Sequence, residues 1–150
     1  MLAMILFFDD ICPGQRFESA TVTVARDDIV AFARLYDPQP FHLDEAAAAV
    51  SLFGGLVASG WHTAALTMRL LVGSLPVAGG LVGAGGEMRW PHPTRPGDVL
   101  RVASEVTAVT PSRSKPDRGT VLLRCETANQ HGTVVQIMQP RLMVPRRPGG

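Results

Sequence analysis

Apolar and polar residues alternate through QRFESATVTVA (residues 15–25), with Phe17, Val22 and Val24 set among Ser and Thr, and this period of two predicts a strand. The period then lengthens. In DDIVAFARLY, opened by Asp27 and Asp28, the residues Ile29, Phe32, Ala33 and Tyr36 fall on one helical face. Two acids at its start suit the positive end of the helix dipole, and Pro38 and Pro40 stop it. Asp44 is placed to cap a short second helix through the alanines 46–49, which Gly54 and Gly55 break. After Ser59 comes GWHTAALTMRLLVG, apolar on nearly every side and carrying one charge, Arg69. A helix of that kind is expected to be buried all round or nearly so.

A glycine-rich stretch (79–86) separates this helix from three strand signals. DVLRVASEVTAV alternates Leu100, Val102, Val106 and Ala108 against Arg101, Glu105 and Thr107. TVLLRCETA follows a polar loop (111–119), and Asn129–Gly132 predicts a hairpin into TVVQIMQPRLMV. Pro140 predicts an edge or a bulge in that last strand, and the tail PRRPGG is expected to fray. The order is strand, helices, one greasy helix, then antiparallel strands. An α+β fold accounts for it, with an antiparallel sheet wrapped around a buried central helix. Open sheet edges and the apolar MLAMILFF segment need cover, so pairing with a second copy is expected.

Composition narrows the function. With 150 residues, no repeat and no linker, residues 1–150 are expected to form a single domain. A formal charge of +1 argues against nucleic acid and against an anionic membrane surface as partners. No apolar run approaches the roughly 20 residues of a spanning helix, and MLAMILFF lacks the basic leader and cleavage site of a signal peptide. A cytoplasmic protein is expected, with Cys12 and Cys125 reduced. Lys115 is the only lysine and lies outside any phosphate-binding loop, while GGLVGAGGE has the wrong spacing for a dinucleotide site. No cofactor is expected. His42 and Asp44 are too sparse a set for a metal, and Met68, Met138 and Met143 read as core fillers.

Reactive groups are densest in YDPQPFHLDEA (36–46). Asp37 and His42 stand five apart across a turn stiffened by two prolines, so their side chains can be held in fixed relation. A carboxylate and an imidazole can divide proton transfer near neutral pH. The same residues can equally be a turn cap and a histidine satisfying backbone carbonyls. Ser59 and Gly60 fall where the greasy helix begins, and free amides at a helix start make a ready oxyanion site or a plain cap. His62, two residues on, suits a tunnel lining, an accessory acid or a hydrogen-bonded core position. His92 and His131 are expected to face solvent.

YDPQPFHLD resembles the signature of the MaoC-like, (R)-specific enoyl-CoA hydratases, through Asp37, Pro40, His42 and Asp44. Gln39 stands where that family usually has Asn, Phe41 where it has an aliphatic residue, and Tyr36 where Gly is common. FGGLVASGWHTAAL is similar to the family's entry into its central helix, with Gly60 at the shared glycine, and RWPHPTRPGDVLRV resembles its aromatic, Pro and Gly-Asp strand motif through Trp90, Pro93, Gly97 and Asp98. The three motifs, in order, span roughly residues 15–145.

The resemblance implies a hotdog fold and a homodimer or dimer of dimers acting on an acyl-CoA thioester. It implies Asp37 and His42 as catalytic residues holding the water that adds to, or leaves, the 2,3 bond. Gly60 would bind the thioester oxygen, with Ser59, Gln39 and His62 beside the substrate and Arg95 or Arg113 able to meet CoA phosphates. The activity expected is enoyl-CoA hydration and its reverse, 3-hydroxyacyl-CoA dehydration. A hotdog thioesterase and a non-catalytic acyl-CoA binder are the alternatives.

Overall fold

A computed structural model describes residues 4–149. The strand at the start of the alternation is β1 (Arg16–Thr23), and the helix opened by the two acids is α1 (Arg26–Tyr36), which buries Ile29 and Ala33. Tyr36, on the same predicted face, is exposed instead. The proline turn holds an element that the alternation does not announce, the four-residue α2 (Pro40–Leu43). Proline at its first position has no amide to waste and a preset φ. Asp44 caps α3 (Glu45–Ala49) as expected, its carboxylate accepting the Ala46 amide at 3.0 Å.

The greasy segment is α4 (Gly60–Ser74). It lies across one face of a five-stranded antiparallel sheet and packs on β1, on β3 (Val99–Pro111) and on β5 (Val134–Pro145). The strand order is β1-β3-β4-β5-β2, with β2 (Val82–Arg89) and β1 at the edges and β4 (Arg118–Ala128) in the centre. Alternation is clear in β3, where Leu100, Val102 and Val106 turn inward against exposed Arg101 and Thr107, and it is unbroken along β4. This is the sheet wrapped around a helix that was expected.

Several expectations need correction. Burial all round fails for α4 within one chain: Leu70 and Leu71 face the sheet, whereas Trp61, Met68 and Val72 are exposed. Met68 is therefore no core filler, although Met138 is buried and Met143 is half-buried. The glycine-rich stretch is no mere connector, because Val82–Arg89 pairs with β5. A bulge in β2, between Gly83 and Gly86, stands opposite Leu142 and Pro140, so Pro140 lies in an interior strand and faces the bulge of its edge neighbour.

The tail is held as well. Arg146 and Arg147 reach Asp9 and Asp10 at 2.6 Å each, and lie over the rings of Phe8 and Phe7. Of MLAMILFF, residues 1–3 lie outside the described residues. Leu6 bridges to Val77 and Phe8 is buried against Gly119, so part of the segment is covered within the chain.

Candidate active site

Three stretches distant in sequence meet at the amino-terminal end of α4. The turn after α1 supplies Asp37, Gln39, Phe41 and His42, the entry to α4 supplies Val57 to Gly60, and the loop after β2 supplies Trp90 to Thr94. Two backbone hydrogen bonds seam them, from the Val57 amide to the Phe41 carbonyl at 3.2 Å and from the Ala58 amide to the Thr94 carbonyl at 2.8 Å. Between the three lies a cavity of about 410 Å³ walled mostly by Phe41, Phe53, Trp61, Trp90 and prolines.

Asp37 and His42 are in direct contact, Oδ2 to Nε2 at 3.1 Å. His42 is buried, and its Nδ1 stands 2.7 Å from the Val57 carbonyl oxygen. A carbonyl only accepts, so Nδ1 carries a hydrogen and Nε2 is the nitrogen left to exchange protons. Asp37 accepts from the Ser59 hydroxyl at 2.7 Å on Oδ2 and from the Gln39 amide at 2.6 Å on Oδ1. Burial alone would push the Asp37 carboxyl up. The Ser59 and Gln39 hydrogen bonds, with the neighbouring His42, outweigh that and hold it below the ordinary carboxylate range. The longer side chain of Gln39 thus finds its place as a donor to the carboxylate.

Ser59 also caps α4, its Oγ accepting the Trp61 amide at 3.2 Å while its carbonyl takes the His62 and Thr63 amides. The Gly60 amide has no partner among the described residues and borders the cavity, as an oxyanion donor must. The need for glycine there has a further cause. A Cβ on Gly60 would lie 2.7 Å from Cε2 of Trp90, so the indole fills the space a side chain would take.

His62 does not join the group. Its ring stacks on Phe32 of α1, centroids 4.7 Å apart and 7° from parallel, with Nδ1 buried and unpartnered. Burial holds its pKa below the ordinary histidine value, against the pull of Asp28. It is a packing residue between the helix that ends at Tyr36 and the helix that begins at Gly60.

Arg95 follows the cavity-lining Thr94 and donates to the carbonyl of Phe53, another lining residue, at 2.7 Å. Arg113 lies past the other end of the 13-residue β3, away from the site. His92 and His131 are exposed as expected, yet His92 also borders the cavity. Spacing gave no sign of Phe53, Thr63 or the Val57 carbonyl as parts of the site. Trp90 could have been found, since its motif was readable.

The solved structure of a MaoC-like dehydratase from Rhodospirillum rubrum is 58% identical and superposes with a TM-score of 0.93, covering 95% of this chain and 99% of that one. An (R)-specific enoyl-CoA hydratase from R. rubrum is 30% identical over 142 residues, 94% of this chain and 93% of its own length. A 3-hydroxybutyryl-CoA dehydratase from Methylorubrum extorquens is 33% identical over 112 residues, 74% of this chain and 70% of its own. The fold is the hotdog fold expected from the resemblance. Residues 10–129 match the model of the MaoC like domain, and the chain belongs to that family.

Proposed function

We propose that the protein is a hydro-lyase that reversibly adds water to a trans-2-enoyl-CoA thioester. One observation carries this reading: the Asp37–His42 pair at 3.1 Å opens on an apolar cavity that a free helix-start amide also borders. Hydration next to a thioester needs a base for water, an acid for C2 and a donor for the oxygen that gains charge. Asp37 takes a proton from water as the water oxygen bonds to C3. His42 passes the proton on Nε2 to C2, while the Gly60 amide holds the thioester oxygen as it becomes enolate-like. The direct Asp37–His42 contact then returns the proton from carboxyl to imidazole, so both groups end as they began. Dehydration is the same path reversed.

The relatives named as a hydratase and a dehydratase support this assignment. Arg95, next in sequence to the cavity-lining Thr94 and bonded to the carbonyl of Phe53, is our candidate for a CoA phosphate. We assign a homodimer or dimer of dimers, because Trp61, Met68 and Val72 are an apolar row on α4 left bare by the single chain. We place the enzyme in the cytoplasm, with Cys12 and Cys125 unpaired. Among the described residues no helix is long and apolar enough to cross a membrane.

The test is to follow crotonyl-CoA by loss of enoyl absorbance and by release of free thiol in parallel. Loss without thiol supports the hydro-lyase. Thiol release would make the protein a thioesterase, and binding without either would make it a binder.

A further inference from the structure

We propose that Trp90, locked in place by Gln136, is the specificity-determining wall of the cavity and confines turnover to short acyl groups; this rests on the enoyl-thioester reading above. Trp90 is held from three directions. Its indole Nε1 donates to Oε1 of Gln136 at 2.9 Å. Its ring lies against Gly60, with Cε2, Cδ2 and Cζ2 at 2.7, 2.9 and 3.0 Å from where a Cβ would be. Trp61 meets it edge-on, centroids 5.4 Å apart and 79° between planes. Trp90 is 41% exposed, and a rotamer that released Gly60 would also forfeit the part-buried hydrogen bond to Gln136.

Gln136 reads as a residue kept for this purpose. It is fully buried on β5, and its Nε2 has no partner. An apolar side chain of that size would avoid burying an unpaired amide, so packing alone disfavours glutamine here. The one hydrogen bond its side chain makes among the described residues is the one that fixes the indole. Breaches of local preference of this kind gather at functional sites.

The consequence for substrate follows from position. A thioester oxygen on the Gly60 amide puts the carbonyl carbon and the first acyl carbons beside the Trp90 ring. The cavity, at about 410 Å³, is toward the small end of the roughly 300–1,000 Å³ of ligand sites. The thioester itself takes part of that volume. A rigid bicyclic wall then leaves room for a short, unbranched chain.

The experiment measures kcat/KM for trans-2-enoyl-CoA of four, six and eight carbons with the parent, Trp90→Ala, Trp90→Phe, Gln136→Met and Trp90→Ala/Gln136→Met. The parent is expected to prefer four carbons to eight by about tenfold or more, the scale on which an apolar pocket discriminates. Trp90→Ala should abolish that ratio by gaining on eight carbons, with Trp90→Phe intermediate. Gln136→Met should lower the ratio in the same direction as Trp90→Phe, and the double variant should go no further than Trp90→Ala. Should Gln136→Met fail to fold, the two Trp90 variants decide.

An unchanged ratio in Trp90→Ala overturns the proposal. So does an equal change at every chain length, which would place Trp90 against the CoA portion. A parent inert toward every enoyl-CoA would defeat the hydratase reading, and binding then decides the wall separately. The chain has two tryptophans, so in Trp61→Phe the fluorescence reports Trp90 alone. Saturated butyryl-CoA should change it and octanoyl-CoA should not, whereas equal responses, or none, overturn the proposal.

Discussion

Replacing Ser59 by alanine removes one oxygen that serves two partners. The hydroxyl donates to Oδ2 of Asp37 at 2.7 Å and accepts the Trp61 amide at 3.2 Å. Losing a helix cap costs about 1 kcal/mol. Losing a hydrogen bond to an ionised acceptor costs about 1.5–3 kcal/mol. Together these come to roughly 2–4 kcal/mol, a fall in Tm of roughly 4–16 °C for a chain of this length. The catalytic effect is separate. Asp37 is held ionised below its ordinary range, so the stability it contributes is present above that range and lost as pH falls through the lowered value. In Ser59→Ala only Gln39 and His42 still hold the carboxylate, and burial, which pushes it up, is unopposed by the hydroxyl. The acid limb of kcat/KM for crotonyl-CoA should therefore move to higher pH. Ser59→Thr should return the limb to its parent position even where the extra methyl lowers Tm. A Tm that falls while the acid limb of Ser59→Ala stays put would refute the reasoning, because the hydroxyl would then be a cap and nothing more.

Asp37→Asn and His42→Gln should each lower kcat by on the order of 10²–10⁴ with KM little changed, and the double variant should lose scarcely more than either one; parent rates of crotonyl-CoA hydration in both single variants would remove the catalytic assignment. Gly60→Ala should cut turnover because its Cβ meets the Trp90 ring at 2.7 Å, and the same change made in Trp90→Ala should cost far less; equal losses in the two backgrounds would trace the effect to the amide instead. Leu71→Ala, at a fully buried position on α4, should cost about 2–5 kcal/mol in a urea melt. Met68→Asp, on the outward face, should leave the fold intact while breaking the dimer. Light scattering checks that dimer in the parent, and a stable 16.0 kDa monomer at micromolar concentration would count against it.

Most of the secondary structure was legible because its causes are local. The acids before α1, the Asp44 cap of α3 and the inward row Leu100, Val102 and Val106 are read within a few residues. The misreadings have physical reasons. β2 hides in a glycine-rich stretch because every residue from Val82 to Glu87 is exposed in the single chain, leaving no alternation to see. Its pairing comes from backbone hydrogen bonds to β5, which composition does not advertise. Burial was overstated for α4 because an apolar residue turned outward looks the same in a sequence as one turned inward. Trp61, Met68 and Val72 are exposed on the single chain.

The candidate site divides along the same line. Asp37 and His42 could be paired from the sequence because the turn that joins them is five residues long and stiffened by proline. What tunes them could not. Ser59 reaches Asp37 across 22 residues, and Gln136 reaches Trp90 across 46. Thr67 and Thr127, both fully buried, meet at 2.7 Å across 60. Thr67, Thr127 and Gln136 are polar side chains between α4 and the sheet, where sequence periodicity would place aliphatic ones. A buried hydroxyl or amide is tolerable only with a partner, and that partner is supplied by whichever strand the topology brings alongside. Thr127 faces Gln136 in the β4–β5 register, so the threonine pair and the indole anchor share one face of the sheet beneath α4. The Asp37–His42 pair is thus a local motif, while the shape of the pocket around it is a property of the strand order β4-β5-β2. On the proposed function, variation in acyl specificity would proceed at Trp90 and Gln136 without disturbing Asp37 or His42.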